Sequence, residues 1–222
     1  MAFTSSLLTD STPTLAQERI LWQQGYECIA GMDEAGRGAW AGPVVAAAVI
    51  LPYDQPDLDD LLSPVRDSKL LAPHPRDCCY DLVLEHALCW GVGAVPAAEI
   101  DCIGIVPATR LAMRLAMECL PIPPAYLLID ALHLDRVPTP QRAIIKGDRT
   151  CLSIAAASII AKVTRDRMMR EMDATHPGYG LAQHKGYGTP QHRHALARLG
   201  ASPLHRHSFR PIALRNALDC YD

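Results

Sequence analysis

Ile29-Ala30-Gly31-Met32-Asp33-Glu34-Ala35-Gly36-Arg37-Gly38 decides how the rest of the chain is read. An apolar run climbs to two adjacent carboxylates and breaks at once into free backbone around a cation. Acids at the exposed end of a buried strand, followed by such a loop, suit metal-assisted phosphate chemistry; a charged turn after a strand has the same composition. Two more short apolar runs end in acids: Tyr126 to Asp130, and Arg142 to Lys146 followed by Gly147-Asp148. In α/β sheets ligand sites gather at the carboxyl ends of strands, so Asp33, Glu34, Asp130 and Asp148 are expected to share one crevice. Four carboxylates that close repel unless cations sit among them. Hard Mg²⁺ or Mn²⁺ suits such an oxygen donor set. Two of these ions roughly 3.5–4 Å apart activate a water and stabilise the leaving oxygen in phosphodiester hydrolysis. Adjacent strand residues point to opposite faces, so the strand is expected to end or distort at Asp33-Glu34, helped by Gly36.

Outward from this stretch, Leu15 to Gln24 reads as a helix stopped by Gly25, and Glu27 to Met32 as the strand that leads to the acids. Pro43 to Leu51 is a continuous apolar run, a buried strand reached through a turn at Gly42. Residues 52–64 read as an acidic, proline-bearing loop. Arg76 to Cys89 is helical in pattern, Trp90 to Val95 alternates as a strand, and Ile105 to Cys119 is a second helix with Leu111, Leu115, Met113 and Met117 as its apolar positions. Leu152 to Met172 is the clearest helix, with Thr150 as its expected N-terminal cap and Ser158, Lys162 and Asp166 as a polar stripe. His176 to Thr189 reads as a glycine-rich basic loop; Gln191 to Leu199 and Ile212 to Leu218 are short terminal helices. Strands alternating with helices in this way give a mixed α/β class. The expected organisation is an unstructured 1–13, a core over 14–175, and a basic 176–222 packed on that core.

At 222 residues the chain can bury one substantial core. Its eight cysteines show no C-x-x-C pair and no zinc-ligand spacing, which favours a reducing, cytoplasmic setting over a disulfide framework. No secretory signal or membrane span is visible. The net charge of −3 conceals an asymmetry: residues 1–135 hold 7 Lys/Arg and 18 Asp/Glu, residues 136–222 hold 14 and 6 with six of the nine histidines. A basic half points to a large anion such as a phosphate backbone; a dispersed, solvated surface is the alternative. Lys146, Lys162, Arg165 and Lys185 are the candidates for phosphate contacts, which position rather than specify. Tyr187, between Gly186 and Gly188, is free to present its ring outward, with core packing as the alternative, and glycines at 36 and 38 leave the main chain open to close approach, with Arg37 available to a phosphate. His184, His205 and His207 are of a type that can shuttle protons or bind metal, but no spacing among them is diagnostic, and surface or phosphate-facing roles are favoured.

Taken together, the ordered blocks resemble the ribonuclease HII family. They are Gly31 to Gly38; Ala41 to Val49; Asp67-Ser68-Lys69; Ala108-Thr109 with Ala112-Met113; Ile129-Asp130; Lys146-Gly147-Asp148; Ser153 to Ile159; Ala161 to Asp166; His184 to Thr189; and His205-Arg206 with Ser208-Phe209. The resemblance implies a ribonuclease H-like fold, with three antiparallel strands beside two parallel ones, helices on both faces and a helical C-terminal extension. It implies endonucleolytic cleavage, with two Mn²⁺ or Mg²⁺ ions, of RNA in RNA–DNA hybrids and on the 5′ side of single ribonucleotides embedded in duplex DNA. The ends left are 3′-hydroxyl and 5′-phosphate, the setting is ribonucleotide removal from DNA, and the enzyme is expected to act as a monomer. Asp33, Glu34, Asp130 and Asp148 match the metal-binding acids. Gly36-Arg37-Gly38 matches the motif that reads the ribose 2′-hydroxyl, and Tyr187 the tyrosine that stacks on the following sugar. Asp166 is another candidate for the fourth acid, less favoured because it lies mid-helix beside Lys162 and Arg165. Trp40 departs from the usual pattern and is expected to stand near the site entrance. Another nuclease or strand-transfer enzyme of the same fold, or a non-catalytic hybrid-binding module, are the rival readings.

Overall fold

The computed structural model describes residues 12–219. The expectation of an unstructured N-terminus falls mainly on residues 1–11, and Cys220 on the far end; both lie outside the described residues.

Five strands form one mixed sheet in the order β3-β2-β1-β4-β5. They are β1 (Ile29–Ala35), β2 (Val44–Ile50), β3 (Cys89–Val95), β4 (Tyr126–Asp130) and β5 (Gln141–Ile144). β1, β2 and β3 pair antiparallel, whereas β4 lies parallel to β1 and β5 parallel to β4. Every residue of β2 is buried, as a continuous apolar run between two helical layers requires. The helices are α1 (Ala16–Gln23), α2 (Leu58–Leu61), α3 (Pro73–His86), α4 (Ala97–Ile103), α5 (Ile105–Glu118), α6 (Leu152–Thr175), α7 (Leu181–His184), α8 (Pro190–Leu199) and α9 (Arg210–Asp219).

One sheet face packs Ala47, Val49 and Leu51 against α6 and α3; the other packs Ala30, Met32, Ala46, Ala48 and Ile50 against α5. On the α5 side the stripe facing the sheet is Ala108, Ala112 and Ala116 with Met113, while Leu111 and Leu115 are only partly buried. The reason lies in β3: a Cβ at Gly91 would come 2.2 Å from the Ala116 carbonyl and one at Gly93 2.1 Å from that of Ala112. Helix and strand touch backbone to backbone, so only small side chains fit between them. A similar approach occurs at Gly31, where a Cβ would fall 2.2 Å from Ser153 of α6. It brings α6 down onto the face of β1 that also carries Asp33.

Two further expectations need correction. The start of α6 is not capped by Thr150. Glu18 of α1, wholly buried, accepts the Ser153 amide at 2.8 Å and the Cys151 thiol at 3.1 Å, so a carboxylate from a distant helix satisfies the end of this dipole. Nor does β1 end at its acids. Asp33 pairs with Ala47, Glu34 with Ala46 and Ala35 with Val45, whereas on its other edge the ladder with β4 stops at Met32 opposite Ile129. The strand runs on as an edge from that point.

Beyond α6 the chain folds back. Ala41, Met169, Tyr179, Leu181, Ala195, Leu196 and Ile212 form a separate small core at the far end of that helix. The expected loop over 176–189 contains α7, and that over 52–64 contains α2.

Candidate active site at the open edge of β1

The parallel register that ends at Met32 and Ile129 makes Asp33 and Asp130 the next residues along neighbouring strands, on the α6 face of the sheet. Asp148 arrives from a single 3₁₀ turn, Gly147–Arg149, that links β5 to α6, and Asp130 Oδ1 accepts the Gly147 amide at 2.8 Å. Glu34 points to the other face by the pleat, but among the described residues no strand covers that edge of β1 beyond Met32, and the charge of Asp130 still reaches it. The charge of Asp130 acts on Asp33, Glu34 and Asp148 alike. The four acids expected to converge are thus neighbours.

Their environment is hostile to negative charge. Burial, then the charges of Glu34 and Asp130, holds the Asp33 carboxyl well above the usual carboxylate range, against hydrogen bonds from Ser158 and from the Glu34 amide at 2.7 Å. Burial also raises Glu34, opposed by Arg37 at 3.0 Å. Burial and Asp67 raise Asp148, opposed by Lys69 at 3.5 Å. For Lys69 burial acts downward, but Asp33, Asp148 and Asp67 outweigh it and hold its ammonium above the ordinary value. Among the described residues Asp33 Oδ2 and Glu34 Oε2 are buried with no hydrogen-bond partner. Orphaned carboxylate oxygens in a cluster of like charges mark a place that lacks positive charge, and an all-oxygen set fits a hard divalent cation. Among the described residues no three acidic, His or Cys side chains stand ready around one point. Glu34 is turned to Arg37 and Asp148 to Lys69, so these two cations supply the compensating charge.

Next to the acids opens a cleft of about 520 Å³, lined by Glu34, Gly36 to Gly38, Lys69, Lys162 and Tyr187 among others. On the other side of Lys69 lies a shallower hollow of about 250 Å³, with Asp130, Lys146 and Asp148 in its wall. Tyr187 is 37% exposed, and its ring lies 5.4 Å from the Arg165 guanidinium and 5.9 Å from Lys162 Nζ. The loop bearing Lys69 is tied down from both ends. Ser68 Oγ lies 2.9 Å from Ser158 Oγ on α6, and Arg76 donates to the carbonyls of Ser68 and Leu71 at 2.7 and 2.6 Å.

The candidate phosphate contacts divide. Lys146 is exposed beside the smaller hollow. Lys162 reaches the cleft while pairing with Asp166 at 2.7 Å; Asp166 also meets Arg76 at 3.4 Å, so it is engaged with cations. The Lys185 ammonium donates to the Ala182 carbonyl. Arg165 departs from its expected role: its side chain is wholly buried and donates to the carbonyls of Pro43 at 2.9 Å, Lys185 at 3.0 Å and Ala41 at 3.2 Å. Arg206, also buried, donates to those of Gly42 at 3.0 Å and Arg37 at 2.9 Å. These two guanidiniums hold the Gly36–Gly42 segment and the Tyr187 loop together from inside. Trp40 lies behind that loop rather than at the entrance, with its ring under Gly188 and 5.7 Å from His192. His184 and His205 are buried, not surface residues. Lys69 and Arg76 belong to the cleft but receive no role in the sequence reading, although Asp67-Ser68-Lys69 is one of its matching blocks. His192 goes unnoticed there, since no motif carries it.

A mixed sheet in this order, with carboxylates at the open end of its central strands, defines the class of the ribonuclease H fold. Solved structures agree. Ribonuclease H2 from Pyrococcus horikoshii OT3 superposes with a TM-score of 0.74 at 25% identity, covering 87% of this chain and 99% of that one. Bst-RNase HIII in complex with Mn²⁺ superposes at 0.64, with 19% identity, over 90% of this chain and 73% of the other. At the level of sequence, the ribonuclease HII family profile matches residues 30–212. Ribonuclease HII of Dehalococcoides mccartyi is 53% identical over 201 residues, 90% of this chain and 94% of its own; that of Chloroflexus aurantiacus is 55% identical over 203 residues, with the same shares. The chain belongs to the ribonuclease HII family, and so to the endonuclease hydrolases. Among the described residues no helix is long and apolar enough to cross a membrane.

Proposed function

We propose that Asp33, Glu34, Asp130 and Asp148 hold two divalent cations, Mg²⁺ or Mn²⁺, and that the cleft beside them receives RNA–DNA hybrids and duplex DNA bearing single ribonucleotides. When bound, such ions supply an activated water and stabilisation of the leaving oxygen, giving a 3′-hydroxyl and a 5′-phosphate. The acids orient the ions; Lys69, between the two hollows, and Arg37, on the cleft, are the cations placed to meet a phosphate once carboxylates turn inward. Asp166 is left to its ion pairs with Lys162 and Arg76.

Gly38 is the observation that carries the substrate reading. Gly36 is required by the fold itself: its φ is +92°, and a Cβ would meet Arg165 at 2.0 Å. Gly38 is required by neither constraint, since its backbone is not left-handed and a Cβ there would meet nothing within 4 Å. It is exposed and faces the cleft. A glycine with no structural need of its own leaves the approach of something outside the chain as its reason, and a ribose with its 2′-hydroxyl on main-chain groups fits that space. Tyr187 stands across the same cleft as a stacking surface for the next sugar.

The test is to incubate a duplex containing one ribonucleotide, and an all-DNA duplex of the same sequence, with Mn²⁺ or Mg²⁺ and map the products. A single cut on the 5′ side of the ribonucleotide is expected, with the all-DNA duplex intact. Equal cutting of both would overturn the ribose reading. Binding without cleavage would overturn the catalytic one.

A further inference from the structure

Tyr187 sits between two glycines, Gly186 with a φ of +80° and Gly188, and such a segment is not rigid by itself. Behind it lie three histidines outside the proposed acid site. His192 and His205 are wholly buried, and His184 is nearly so. The His184 and His192 rings stack at 4.3 Å, 15° from parallel. His192 Nε2 lies 3.0 Å from His205 Nε2, a separation that requires one hydrogen between the two nitrogens.

The partners decide which ring carries it. His192 Nδ1 lies 3.1 Å from the Tyr187 carbonyl, which only accepts, so Nδ1 bears a hydrogen and Nε2 is bare. His205 Nε2 is then the donor to His192. His205 Nδ1, bare in turn, accepts the Ser202 amide at 2.9 Å; Ser202 Oγ is also at 2.9 Å, and the Ser202 carbonyl is farther, at 3.3 Å. The bonds run one way, from Ser202 through His205 and His192 to the carbonyl of Tyr187. His184 holds the other side: its Nε2 donates to the Tyr179 carbonyl at 2.8 Å, its Nδ1 takes the Gly186 amide at 3.2 Å, and its own carbonyl takes the Tyr187 amide at 3.0 Å. Both backbone groups of Tyr187 are therefore fixed from inside, its carbonyl taking the Thr189 amide at 2.8 Å as well as His192, while its ring stays on the cleft.

We propose that His205 and His192 form a directional hydrogen-bond relay that positions Tyr187, making them positioning residues for discrimination between single ribonucleotides and long hybrids. This rests on the proposed role of Tyr187. A pair that merely filled space would need no fixed tautomers and would tolerate an apolar replacement with discrimination unchanged.

His205→Gln and His205→Leu separate these cases. The Gln amide takes the place of Nε2 and still donates to His192; Leu has similar bulk and no donor. Each variant, with Tyr187→Ala and the Tyr187→Ala/His205→Leu double variant, is assayed for kcat/KM on a duplex with one ribonucleotide and on a long hybrid. Expected is a fall in the ratio of the two values by about tenfold for His205→Leu, the scale of one lost hydrogen bond. Tyr187→Ala should show a fall of similar size, His205→Gln a near-normal ratio, and the double variant no further loss. A normal ratio in His205→Leu alongside a reduced one in Tyr187→Ala overturns the relay alone. A normal ratio in Tyr187→Ala overturns the role of Tyr187 and the relay's purpose with it. Should His205→Leu not fold, ¹⁵N NMR of histidine-labelled wild-type protein decides. His192 as the Nδ1–H tautomer and His205 as Nε2–H support the relay; the reverse pair, or an imidazolium in either ring at neutral pH, overturns it.

Discussion

Two glycines on either side of Arg37 are expected to fail in opposite ways. Gly36→Ala places a methyl group 2.0 Å from Arg165 Nε and 2.6 Å from its Cδ, and that guanidinium cannot retreat because three carbonyls hold it. The left-handed backbone at +92° adds strain of ~1–2 kcal/mol. With overpacking of ~1–3 kcal/mol, the loss of stability should reach about 2–5 kcal/mol, and activity should fall with it on every substrate. Gly38→Ala meets no protein atom and needs no left-handed backbone, so it should gain about 0.4–1 kcal/mol from a less flexible unfolded chain. On the proposed reading the methyl group stands where the sugar approaches, so cleavage of a ribonucleotide-containing duplex should nevertheless drop at least about tenfold in kcat/KM. Urea unfolding of both variants, paired with cleavage kinetics on folded protein, reads the two quantities separately. Gly38→Ala with wild-type kinetics would refute the argument that this glycine exists for the substrate.

Asp33→Asn should abolish cleavage while leaving stability in cation-free buffer unchanged or raised by up to ~1 kcal/mol, since it removes a buried like charge; several kcal/mol of lost stability would instead mark Asp33 as structural. Arg165→Met strips hydrogen bonds from three carbonyls and should cost about 3 kcal/mol or more. If urea unfolding shows no change and only the salt dependence of substrate binding falls, Arg165 is a phosphate contact after all. Burial, then a neighbouring histidine (His184 for His192, His192 for His205), lowers both from 6.5 to about 4; His207 and His184 also act downward on His205, and the Tyr179 ring lies 5.0 Å from it. The unfolded chain therefore binds more protons between pH 6.5 and 4, so their contribution is complete above 6.5 and is lost as pH falls toward 4. It amounts to at most ~3 kcal/mol per ring, less for the coupled pair. The difference between wild type and His205→Gln across that window isolates it from the acid cluster, and identical pH profiles would contradict a neutral relay.

Residues whose local pattern agrees with their final surroundings were readable in advance. β1, β2, β4 and α6 follow from apolar runs of the right length, and each acid announces itself as the end of such a run. What resisted reading was set by distant partners. The inward stripe of α5 is Ala108, Ala112 and Ala116 rather than its leucines because Gly91 and Gly93, on another strand, draw the helix onto the sheet. The cap of α6 comes from Glu18, 135 positions before Ser153. β1 continues past its acids because β2 still pairs with them; the opening needed at the site comes from β4 letting go instead. Arg165 lies in a half of the chain rich in positive charge, and its pattern resembles that of a surface residue; only the carbonyls of Pro43, Ala41 and Lys185 explain why it turns inward.

That inward turn bears on how the two halves of the site are joined. The acids are placed by the sheet: neighbouring rungs of β1 and β4, and a turn after β5. The cleft wall that carries Gly38 and Tyr187 is placed by the C-terminal region, through Arg206 on the carbonyls of Arg37 and Gly42 and through Arg165 on that of Lys185, two residues before Tyr187. Arg165 also packs directly against Gly36, which follows β1 immediately. One buried guanidinium thus touches the exit of the strand that carries Asp33 and Glu34 and the loop that carries Tyr187. Arginine suits this joint because its planar fork donates in several fixed directions at once, so the spacing between the acids and the Tyr187 loop is held by one rigid group. A change in the acids should therefore act on turnover and a change behind Tyr187 on discrimination. Only at Gly36 and Arg165 should both be lost together.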